Sequence, residues 1–156
     1  MAGRILDEIK QSRPIPTLEE EAYLNVQRTA NVLLQDVVEL LKAHNLTPTQ
    51  YNVLRILRGA GETGLCRNEV RERLIARVPD TTRLLDRLAE MELISRDRDT
   101  PDRRFVTTRI TQAGLDLLAR MDEPVRRMHQ EQVGHVPPER LRLLIDILAE
   151  VRNRAG

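Results

Sequence analysis

Aromatic residues are nearly missing from this chain: one Phe, two Tyr and no Trp in 156 residues. Proteins that hold single strands stack bases on aromatic rings, so that mode has little to work with here. Cysteine is almost absent too. Cys66 stands alone, which excludes an internal disulfide and fits a reducing compartment. No apolar run approaches the roughly 20 residues a membrane span needs, and the N-terminus lacks a signal-peptide apolar core. A cytoplasmic protein without a membrane segment is expected. The three histidines, His44, His129 and His135, have no helical metal spacing, and Cys66 has no partner cysteine or histidine nearby. Neither catalysis nor a metal or other cofactor is expected.

What is present suits one globular domain with a real core, 40% hydrophobic and 31% charged. Net charge is +1, but it is unevenly spread. From Arg55 to Arg104 there are 12 Arg against 10 acids, and from Met1 to Leu54 there are 5 basic residues against 7 acids. Of the 25 basic residues 23 are Arg; a GC-rich genome is the plain explanation.

The chain opens with a short arm (Ile5, Leu6, Ile9) that ends at Pro14 and Pro16. Thr17 and Glu20 then have capping-box spacing. Val26, Ala30, Leu33, Val37, Leu40 and Leu41 recur at three and four residues, which predicts an amphipathic helix to about Ala43. Val32, Leu34 and Val38 widen its apolar stripe beyond what one partner needs. Pro48 at a first helical position starts the next helix, which runs to Gly59. A third, short helix is expected from Cys66 to about Leu74. A fourth starts near Pro79-Asp80 and reaches about Met91.

Two strands follow, Leu93–Arg98 and Phe105–Ile110, alternating in character. Thr111 caps a further helix in which Pro124 is expected to cause a kink or a division. A last amphipathic helix runs from Glu139 to about Arg152. The order is that of a winged helix-turn-helix. The fold expected is mainly α with a small β-hairpin wing. It forms a single domain over 1–156, with the DNA-binding lobe at 47–110 and a helical dimerisation scaffold at 17–43 and 111–154.

A recognition helix reads base edges from its N-terminal half. Here that half offers Asp80, Thr82 and Arg83, with Arg87 one turn later. Thr82 and Arg83 are candidates for base edges or adjacent phosphates, Arg87 for a phosphate, and Asp80 for the helix cap. The competing reading is a solvated amphipathic helix. Arg96, Arg98, Arg103, Arg104 and Arg109 crowd the hairpin, which suits the negative potential of a minor groove. The intervening acids point to pairing, with Asp102 orienting Arg104.

The segments Arg83-Leu84-Leu85-Asp86-Arg87-Leu88, Leu93-Ile94-Ser95-Arg96, Asp99-x-x-Asp102-Arg103-Arg104 and Ile110-Thr111-Gln112-Ala113-Gly114 resemble the MarR family (multiple-antibiotic-resistance regulators). That resemblance implies a homodimer interlocked through the first long helix and the two terminal helices. It also implies a wing arginine in the minor groove, which maps to Arg104, with Asp102 beside it and Arg103 a phosphate or minor-groove candidate. It implies a small aromatic or phenolic effector as well, for which Tyr23, His44 and Tyr51 are polar-tipped candidates. Glu92 departs from the family's pattern, which commonly has Gly just before the strand. The expected partner is double-stranded DNA carrying a pseudo-palindromic operator, and the expected activity is transcriptional regulation, by repression. The alternative is a winged-helix module for protein–protein contact. Arg83, Arg87 and Arg104 together favour DNA over it.

Overall fold

The computed structural model describes residues 5–98 and 105–153. The chain divides into two compact units at Thr47/Pro48. The first holds α1 (Ile5–Glu8) and the long α2 (Leu18–Lys42). Thr17 caps α2 as its spacing predicts, accepting from the Glu20 amide at 3.2 Å. The arm is anchored by burial of Ile5 and by the Arg28 Nε–Glu8 Oε2 ion pair at 3.5 Å. At the far end Asn45 takes φ +55°, and the Leu46 amide reaches back to the Leu41 carbonyl. This is a left-handed helix stop that Asn tolerates. Val26, Val32, Leu34 and Val38 stay exposed along α2.

The second unit holds α3 (Pro48–Ala60), a 3₁₀ turn (Gly61–Thr63), β1 (Leu65–Cys66) and α4 (Arg67–Arg73). After them come α5 (Thr81–Glu90), β2 (Ile94–Asp97), β3 (Thr107–Ile110), α6 (Gln112–Val133) and α7 (Pro138–Arg152). The sheet is antiparallel with β3 in the middle: Ile94 pairs with Ile110, and Leu65 with Thr108. Val53, Leu54 and Leu57 of α3, Val70 of α4, Leu85 and Leu88 of α5, and Leu118 and Met121 of α6 are fully buried. In α3, α5 and α6 these residues recur at helical spacing, so one face of each of those helices supplies the core.

Two glycines are fixed by geometry. Gly64 has φ +66°, and a Cβ there would lie 2.7 Å from the Thr108 carbonyl oxygen. Gly114 lets the start of α6 press against the Leu93 carbonyl and Ile110, where a Cβ has no room. Thr111 completes that junction, accepting from the Gly114 amide at 3.1 Å and donating to the Glu92 carbonyl at 2.7 Å.

Three features differ from the sequence expectation. A third strand, β1, forms immediately before α4. Both hairpin strands are shorter than their alternation suggested. And α6 runs undivided through Pro124, which is exposed. A proline in a helix interior removes one amide donor and crowds the preceding turn, yet the buried Met121, Val125 and Met128 continue the same stripe across it. No described helix is long and apolar enough to cross a membrane.

Candidate nucleic-acid interface

Local chemistry sets the orientation of α5. Asp80 accepts from the Arg83 amide at 2.9 Å and so caps the helix. Thr81, Leu85 and Leu88 turn inward. Arg83, Asp86, Arg87 and Glu90, at helical spacing, form the exposed face. At its far end the Glu92 amide reaches Ala89 and the Leu93 amide reaches Leu88, with Glu92 at φ +60°. This is a Schellman stop. A left-handed position that suits Gly is thus occupied by Glu.

The exposed charges of α5 are not equivalent. Arg87 pairs with Glu90 at 3.4 Å, and Asp86 is bonded by Arg96 from β2. Among the described residues, none pairs with the guanidinium of Arg83. It opens onto a surface groove of about 390 Å³ that Thr49 and Gln50 of α3, Asp80, Leu84 and Arg87 also line. Thr82 is half-buried, and its hydroxyl accepts from Arg67 Nη1 of α4 at 3.1 Å.

On the hairpin, two arginines are occupied. Arg96 holds Asp86; Arg109 donates from Nε to the Glu62 carbonyl at 2.7 Å and faces Asp97 at 3.4 Å. Both brace the lobe, and neither projects as a loose tip. Arg98 is exposed. Asp102, Arg103 and Arg104 lie outside the described residues.

Of the effector candidates, Tyr23 and His44 do not share one site. Tyr23 is 61% exposed near the start of α2, and His44 follows its end. At 1.5 Å of rise per residue they are about 30 Å apart. Tyr51 lies on α3, where its hydroxyl meets Arg55 at 3.3 Å. Near it is a cleft that sequence reasoning missed. Arg55 and Arg58 of α3 and Asp122, Val125, Arg126 and His129 of α6 enclose about 370 Å³. Arg58 grips Asp122 through two bonds, at 2.9 and 3.0 Å. The guanidinium holds the Asp122 carboxyl below its ordinary range, and the carboxylate raises Arg58 in turn. The two residues are 64 positions apart, so no local spacing could signal the pair. No group of His, Cys, Asp and Glu among the described residues could hold a metal ion.

Comparison with known proteins decides the class. Residues 37–121 match the family model for the transcriptional regulator SarA/Rot. A MarR transcription factor from Planctomyces limnophilus is 37% identical, with a TM-score of 0.69 over 87% of this chain and 98% of that one. The chain belongs to the MarR family of winged-helix transcriptional regulators. Two further structures at 22% identity share the fold. They are the S. aureus MepR–DNA complex (TM-score 0.76, 86% and 97% covered) and NadR in complex with 4-hydroxyphenylacetate (0.71, 92% and 100%). Among curated relatives, the repressor IacR of Pseudomonas putida is 31% identical over 96 residues, 62% of this chain. The chain spans about half the length of such relatives, 56% in that case. In this MarR-family protein α4 and α5 follow one another as a helix-turn-helix does, and β2 and β3 pair after them as in a winged helix.

Proposed function

We propose that this protein is a homodimeric repressor that reads a pseudo-palindromic operator through α5 and leaves it when a small effector binds. The observation that carries the DNA contact is Arg83. It is an exposed charged fork at the start of α5, unpaired among the described residues, and a guanidinium suits phosphate or guanine. Half-sites about 10 bp apart suit one helix per subunit. Arg98, Arg103 and Arg104 are assigned to the flanking backbone and minor grooves, with Asp102 orienting Arg104.

Dimerisation is supported by apolar surface that the chain leaves uncovered. In α7 no residue is buried, and Leu143, Leu144, Ile145, Ile147 and Val151 are exposed. In α2 the exposed valines and Leu34 offer a second such face. Patches of this kind on a regulator favour a self-complementary two-fold contact.

The effector we assign is a small aromatic or phenolic acid, held by the cleft around Arg55 and Arg58. NadR, solved with 4-hydroxyphenylacetate, is a fold-level parallel. An acid entering this cleft would compete with Asp122 for Arg58. Sedimentation at several concentrations, followed by titration of the DNA complex with phenolic acids, tests the reading. A dimer that releases DNA on titration is expected. A monomer that still binds one specific site would overturn the two-fold part, and a complex indifferent to acids would overturn the effector part.

A further inference from the structure

Two threonines open α5, and only one of them is placed to read anything. Thr81 is buried; Thr82 is half-buried and meets Arg67 of α4. Arg67 is the first residue of α4, exposed, and without an ion pair among the described residues. A cation in a first helical turn opposes the helix dipole, so the stability of α4 gives no reason for it. Its bond across to α5 does.

The chemistry of that bond has a direction. A guanidinium only donates and never loses its proton at working pH. The Thr82 oxygen therefore accepts on the Arg67 side with one of its two lone pairs, which strengthens its single O–H as a donor elsewhere and weakens the remaining lone pair as an acceptor. Sitting in the first turn, Thr82 has no helical carbonyl four residues back to take that proton. We propose that Arg67 is a positioning residue for sequence readout, fixing the Thr82 hydroxyl as a hydrogen-bond donor to a base edge. This rests on α5 being the recognition helix.

The consequence is a sign. In the major groove guanine O6 and N7, adenine N7 and thymine O4 are acceptors, whereas cytosine offers only its N4 donor. At the base that Thr82 faces, cytosine is disfavoured. The penalty should be roughly three- to tenfold in affinity, the scale of one net hydrogen bond.

The test begins by selecting binding sites from a randomised duplex library with the full-length wild type. Affinities are then measured for every single-base change in the selected site. Thr82→Val keeps the shape and removes the hydroxyl, and it should abolish the cytosine penalty at one base pair while leaving the others intact. Thr82→Ser should restore it. Arg67→Met should flatten that same position, and the double variant should lose no more discrimination than Thr82→Val alone. Any phosphate contact by Arg67 registers separately, as a uniform loss with a shallower salt slope. Thermal melts confirm that each variant is folded. If Arg67→Met weakens all sequences alike while the cytosine penalty survives, the positioning role is wrong. It is equally wrong if Thr82→Val leaves the base profile unchanged. A folded wild type that selects no sequence would instead overturn the recognition-helix reading itself, and this assignment with it.

Discussion

Helices α5 and α7 are both amphipathic, yet they use opposite faces. In α5 the apolar side is consumed by the fold: Leu85 and Leu88 are fully buried, and the charged side is left to meet a partner. In α7 nothing is buried and the apolar side is what remains available, with Ile145 63% exposed. Exposure alone therefore does not mark function. A charged stripe on a helix whose apolar face is satisfied points to a polyanion, and an apolar stripe with no cover points to another protein surface.

The largest test of that contrast is a pair of substitutions. Leu85→Ala should destabilise the fold by about 2–5 kcal/mol, as for other buried leucines, read by denaturant unfolding at fixed concentration. Ile145→Asp should leave each subunit folded and shift the population to monomer, read by sedimentation. If Ile145→Asp unfolds the subunit as Leu85→Ala does, α7 belongs to the intramolecular core and the contrast fails.

Next in size is Arg83→Ala. Loss of a groove arginine should cost about 1–3 kcal/mol of DNA affinity with an unchanged melting temperature. A stability loss with intact binding would make Arg83 part of the fold.

Glu92→Gly acts in the opposite direction. A non-glycine residue in the left-handed region carries strain of about 1 kcal/mol. Glycine there should raise stability by a similar amount, less its own unfolded-state entropy, and leave DNA affinity alone. No gain in the melt would show that Glu92 is compensated.

The smallest effect concerns Arg58 and Asp122. The carboxyl is lowered by Arg58 in the folded state, so its stabilisation is present above the ordinary carboxylate range, about pH 4, and is lost as pH falls through the lower folded value. Asp122→Asn should cost about 0.5–1 kcal/mol at neutral pH, since the pair is only partly buried. The gap between wild type and variant should close towards pH 2. A gap that persists there would mean the carboxylate charge contributes nothing.

Much of the lobe was legible because its signals are local. The Asp80 cap, the Leu85 and Leu88 spacing and the Thr111 junction each depend on residues within one or two turns. The strand β1 was not, since two residues cannot display alternation and its pairing partner is more than 40 positions away. For the same reason sequence alone assigned Arg96 and Arg109 to a DNA-facing hairpin, whereas they brace it through Asp86, Asp97 and the Glu62 carbonyl. Composition shows that acids are near in number, not which arginine each one holds. Pro124 does not divide α6, because the buried stripe of Met121, Val125 and Met128 continues past it.

The most direct test is fluorescence anisotropy on the gene's own upstream DNA against a scrambled duplex, at several salt concentrations, with Arg83→Ala alongside. Nanomolar binding that survives the competitor, with a steep salt slope and a marked loss in Arg83→Ala, is the predicted result. Equal binding to both duplexes would contradict sequence-specific reading by α5. No binding to either at low salt would make this winged helix a protein-contact module.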